Sequence, residues 1–178
     1  METTLKHCTL QNLTYGTILS NAELIAQFIH KKTRAKIKWF EQNRARIESL
    51  KFNTWQEKVL TLFYQFNLNI DTERFGKRVY QDSACMIYDW QTECPILNKC
   101  NEEGVDTLNV CNVLFHTQYQ VLLSLIEPGL VFNRDYERIR PYYHSCREII
   151  YFPRKYPARR MNVHERTIIP ELDVLNKF

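Results

Sequence analysis

From Asn21 to Leu50 the chain contains neither glycine nor proline. An uninterrupted stretch of that kind is best satisfied by one long helix, because nothing in it breaks the backbone hydrogen-bond ladder. Leu24, Ile25, Phe28, Ile29, Ala35, Trp39, Phe40, Ile47 and Leu50 recur inside it at roughly helical spacing. Ser20-Asn21-Ala22-Glu23 has the form of a capping box, so the helix is expected to start there with Ser20 as its cap. Thr54-Trp55-Gln56-Glu57 repeats that signature, and Val59, Leu60, Leu62, Phe63 and Phe66 supply a second apolar face. Residues 67–71 read as its exit and the next cap.

Helical signals continue beyond it. Phe75, Val79, Met86, Ile87 and Trp90 suit a third helix over residues 72–91, in which Gly76 costs about 1 kcal/mol relative to alanine. Residues 95–104 read as a polar loop. The most apolar stretch runs from Asp106 or Thr107 to Ile126 and is expected to be the central helix, stopped by Glu127-Pro128-Gly129. Residues 133–140 suit a short helix ended by Pro141. Residues 142–152 suit a fifth, although Ile149-Ile150-Tyr151-Phe152 also has strand character. The expected fold class is therefore all-α in the main. It is a single-domain bundle of about five helices over residues 1–152, with an extended basic tail, residues 153–178, packed on the domain or on a partner.

Composition narrows the class further. The chain has 178 residues, 44% of them apolar and 25% charged, enough to bury a core without a disulfide or a metal. The longest apolar candidate is interrupted by Asn109, Asn112, His116, Gln118 and Gln120, so no membrane span is expected. The first residues show no basic segment followed by an apolar run, which points to an intracellular location, cytoplasmic or nuclear. Bases outnumber acids up to residue 50 and again over residues 128–166, and acids dominate residues 85–127. Such asymmetry favours a polyanionic partner.

Two basic constellations carry that expectation. Lys31, Lys32, Arg34, Lys36, Lys38, Arg44 and Arg46 would form a cationic ridge on the long helix, able to follow a phosphate backbone through the first five or simply to face solvent. The second interleaves Arg134, Arg138, Arg140, Arg147, Arg154, Lys155, Arg159 and Arg160 with tyrosines and phenylalanines, and all of these but Arg134 and Arg147 are the expected contacts. Arginine forks bind phosphate at two points and aromatic faces stack on bases. The same residue types are enriched at protein–protein hot spots.

Six cysteines, Cys8, Cys85, Cys94, Cys100, Cys111 and Cys146, leave three possibilities open. Cys94, Cys100, Cys111 and His116 have the ligand types of a structural zinc site. Their spacing is loose, and Cys111 and His116, five apart, would lie about 140° apart around an α-helix. Reduced thiols packed as small core residues are the second possibility, and disulfides the third. No Gly-rich phosphate loop, H-E-x-x-H or G-x-S-x-G motif is present, and the adjacency of His144, Ser145 and Cys146 does not make a dyad. The functional expectation is a small accessory or regulatory binding protein, not an enzyme. It would engage nucleic acid through both basic surfaces, with zinc as a possible structural cofactor. The alternatives are a protein-interaction adaptor or structural subunit, with another protein or a second copy of the chain as its partner, and a disulfide-bonded secreted effector.

Overall fold

Local capping chemistry sets most helix starts. A computed structural model describes residues 10–153. The Thr14 side chain accepts from the Thr17 backbone N–H and opens α1, Tyr15–Leu19. The long helix α2 is Ala22–Ser49, 28 residues and so about 42 Å long. Its cap is Asn21, whose Oδ1 accepts from the N–H groups of Glu23 and Leu24 at 2.9 and 3.2 Å. Ser20 instead closes α1, donating from Oγ to the Thr17 carbonyl. Thr54 caps α3, Trp55–Val59, as expected, with Glu57 reaching back to the Asn53 N–H. This helix runs straight into a π-helical stretch, Leu60–Asn67. Asp71 then accepts from two backbone N–H groups and opens the single turn α4, Thr72–Phe75.

At this point the chain departs from the all-α expectation. Residues 76–91 form a hairpin, β1 Gly76–Gln81 and β2 Cys85–Trp90. With β3, Val131–Arg134, and β4, Cys146–Tyr151, they make a four-stranded antiparallel sheet in the order β1-β2-β4-β3. The fold is mixed helix and sheet, and the five-helix bundle is wrong. The pattern failed for a physical reason: all six side chains of β2 are buried, whereas β1 is exposed beyond Gly76, so neither strand shows the two-residue alternation that marks a half-buried strand. Gly76 carried the missed signal. A Cβ there would lie 2.6 Å from the ring of Trp90, its partner across the ladder, and 2.7 Å from the Thr72 carbonyl oxygen. Only glycine lets the chain leave α4 so close to that indole.

Other expectations also change. The supposed loop over residues 95–104 is a helix, α5, Pro95–Glu103, with proline in its first turn and Gly104 at φ 65° closing it. The apolar stretch is helical from Thr107 to Ile126, as α6, Thr107–Asn109, a π-helical turn, Val110–Phe115, and α7, His116–Ile126. Residues 133–140 hold the end of β3 and a 3-10 turn, Tyr136–Arg138, and the strand character of residues 149–151 prevails over a fifth helix. The tail assigned to residues 153–178 lies, apart from Pro153, outside the described residues. Among the described residues no helix is long and apolar enough to cross a membrane.

The described residues divide into two compact units, residues 10–49 with 93–122, and residues 50–92 with 123–153. The first is helical and closes around Tyr15, Ile18, Phe28, Cys100, Val110, Leu114 and Phe115. Tyr15, Phe28 and Phe115 meet edge to face, with ring centroids 5.5 to 6.2 Å apart. The second packs the π-helical stretch on one face of the sheet. Tyr64 stacks on Trp90 at 4.1 Å, and Phe63 lies 6.0 Å from Phe132.

Candidate functional site

The helical turn sorts the first basic ridge into two groups. Lys31, Arg34 and Lys38, spaced three and four apart, share one face of α2 and are exposed. Lys32 and Lys36 fall on the packed side and are partly buried. The Lys32 ammonium sits over the rings of Phe28 and Phe115 at 5.4 and 6.0 Å, and that of Lys36 over Tyr119 at 5.7 Å. Burial, reinforced by the Lys32 charge one turn away, lowers the Lys36 pKa to about 8. Of the five cations expected to bind, three are therefore exposed, and Arg44 and Arg46 are exposed further along the helix.

The Lys36 shift fixes a sign. Its folded pKa lies below the unfolded value near 10.4, so between those values the unfolded chain holds a proton that the folded chain has released. Stability contributed by this site rises with pH across that interval. Lys36→Met is expected to raise the melting temperature at pH 7, with the gain shrinking as the pH passes from 8 to above 10. Thermal denaturation over that range checks it, and a gain independent of pH would contradict the assignment.

The second constellation is only partly within the described residues, since Arg154, Lys155, Arg159 and Arg160 lie beyond them. Arg140 is committed to structure, donating from Nη1 to the Thr92 carbonyl at 2.5 Å. Arg138 lies over the Tyr143 ring at 5.7 Å and 3.8 Å from the Asp135 carboxylate. Tyr142 is 66% exposed beside it in sequence.

The zinc expectation is withdrawn. Cys94, Cys100 and Cys111 do gather near the phenol of Tyr15, whose pKa is pushed up to about 12 by burial and then by the neighbouring Cys100, Glu103, Cys111 and Cys94. Yet among the described residues no group of three or more His, Cys, Asp or Glu side chains is arranged to hold a metal ion. Cys94 is the cap of α5 and Cys100 lies six residues along it, a rise of about 9 Å, too far for a disulfide. The sulfur of Cys100 is instead held by a hydrogen bond with Thr107. The helix between Cys111 and His116 is π-helical, which brings residues five apart closer to one face than the 140° of an α-helix. Even so, they join no metal set. Cys85 and Cys146 sit at opposite ends of the β2–β4 ladder, paired with Tyr151 and Trp90 respectively. None of the five described cysteines is in a disulfide.

What sequence reasoning missed is the sheet edge. β1 forms an outer strand, and among the described residues no strand pairs with its far side. Lys77, Arg78, Val79, Tyr80 and Gln81 are all exposed, Val79 to 42%. Val79 is the extra residue of a bulge, because the ladder with β2 shifts register between Arg78 and Tyr80. The inner side of this edge is fixed rigidly. Cross-strand register places Arg78, Tyr88, Glu148 and Arg134 in one row on one face, and Lys77, Asp89 and Arg147 in another on the opposite face. Arg147 grips both oxygens of Asp89 at 2.7 and 2.9 Å and holds that carboxyl below the usual carboxylate range. Glu148 accepts from the Tyr64 hydroxyl at 2.7 Å and from Arg134. At the start of the strand, the exposed Arg74 lies over the Phe75 ring at 4.8 Å. The only sequence sign of the edge was the tripeptide Gly76-Lys77-Arg78, a strand entry followed by two charges of the sort that guard edges. No family model, curated protein or solved structure matches this chain.

Proposed function

We propose that the chain is a small accessory adaptor that binds another polypeptide, and that β1 is where it does so. The observation carrying this reading is the exposed outer strand, Lys77 to Gln81, braced from within by buried polar rows. An open strand edge offers unpaired backbone donors and acceptors, which is the basis of recognition by strand addition. The polyanion reading loses cations on the same geometry: Lys32 and Lys36 rest on aromatic rings, and Arg140 is bound to a backbone carbonyl.

The test is site-specific photocrosslinking. With a benzophenone amino acid at Val79 of the full chain in living cells, a discrete protein adduct is expected. The same group at exposed Glu102 on α5 is expected to give none. Equal adducts from both positions, or a nuclease-sensitive adduct at Val79, would overturn the adaptor reading.

A further inference from the structure

We infer that the partner presents an acidic segment in extended conformation, which adds to the sheet as a fifth strand along β1. This rests on the adaptor reading and specifies its ligand. The first argument is charge. Lys77 and Arg78 are exposed on opposite faces of the strand, and β1 contains no acidic residue, while Glu73 and Arg74 are both exposed just before it. The charges beneath Lys77 are already neutralised, because Asp89 is held by Arg147. The outward cations are thus left to a ligand. An added strand places side chains within about 5.5 Å of those directly opposite, so one acid on each face, meaning two adjacent acidic residues, would answer Lys77 and Arg78.

The second argument is selection against a copy of the same chain. Both charges that β1 would bring to a β1–β1 ladder are cations, so registers that set Lys77 opposite Arg78 are unfavourable. The bulge at Val79 adds local twist, to which any added strand must conform. Beyond it Tyr80 returns to the face of Lys77, since it pairs with Ile87 and Lys77 with Asp89, residues two apart on β2. Val79 and Tyr80 then offer apolar contact to β-branched residues flanking the acidic pair.

The experiment uses the full chain and a synthetic peptide of alternating valine and threonine with a central Glu-Asp pair. Binding is measured by isothermal titration, and amide hydrogen exchange is followed over residues 76–81. The expected result is slowed exchange within β1 on binding. At least tenfold weaker binding is expected for the Gln-Asn peptide and for the double variant Lys77→Glu/Arg78→Glu, and a Lys-Arg peptide should restore binding to that variant. Binding indifferent to these charges, absent protection in β1, or outward β1 amides already protected in the free chain would each overturn the inference. A protein crosslinked at Val79 with no response to the acidic peptide would sink this inference and leave the adaptor reading standing. Failure of the crosslink together with absent protection of β1 by the peptide would overturn both.

Discussion

Glu148→Ala is expected to destabilise the sheet-containing unit by about 3 to 5 kcal/mol, the cost of leaving a buried charge without its partner. Glu148 and Arg134 both lie in the sheet interior at under 9% exposure, and Glu148 also accepts from the Tyr64 hydroxyl. Deleting the carboxylate strands the Arg134 guanidinium in low dielectric and removes the acceptor that Tyr64 uses. The compensated variant Arg134→Met/Glu148→Leu, with Tyr64→Phe, should recover most of the loss, because apolar residues of similar volume often replace a buried ion pair at little cost. Urea denaturation separates the outcomes. A loss under about 1 kcal/mol, typical of surface pairs, would show that the pair is solvated.

Phe63→Ala is expected to cost about 3 to 5 kcal/mol, the range for emptying a buried aromatic site. Phe63 is fully buried in the π-helical stretch, with Tyr64 at 4.9 Å and Phe132 at 6.0 Å between ring centroids. Its carbonyl also accepts from the Leu68 N–H in the i→i+5 pattern of the π-helix. Phe63→Leu, which keeps much of the volume, should cost distinctly less. Equal losses for the two would mean that the ring geometry matters more than the filled volume, and denaturation midpoints at constant slope would show it.

The helical signals that survived are those enforced locally. Thr54 and Asp71 do cap the helices that follow them. The glycine-free stretch after Asn21 is one helix, and the stretch from Thr107 to Ile126 is helical throughout. Capping and backbone continuity need only neighbours along the chain. The hairpin was not legible in the same way. Met86, Ile87 and Trp90 fit a helix-period template as well as a strand, because β2 is covered on both faces and its sequence carries no alternation. The candidate site suffered similarly. The ridge lysines were visible as a group, but their division into exposed Lys31, Arg34 and Lys38 and ring-covered Lys32 and Lys36 depends on which side of α2 meets Phe115 and Tyr119. The central thiols were recognised as a group near one another. Their chemistry as packed thiols was decided by the position of α5, a helix that its polar composition concealed.

The sequence by itself determined where helices could begin, where they must stop, and that the chain could bury a core of aromatic and aliphatic residues. Those properties follow from local hydrogen bonding and from composition. Only the tertiary structure decided that residues 76–90 pair as strands, that β1 stands at the outer edge with Lys77 on the face of the neutralised Asp89–Arg147 pair and Arg78 on the opposite face, and that Glu148 is buried between Arg134 and Tyr64. Strand order and edge exposure arise from hydrogen bonds between residues as far apart as Cys85 and Tyr151. No local pattern records those bonds, because their partners come together only when the chain has closed the loops between them.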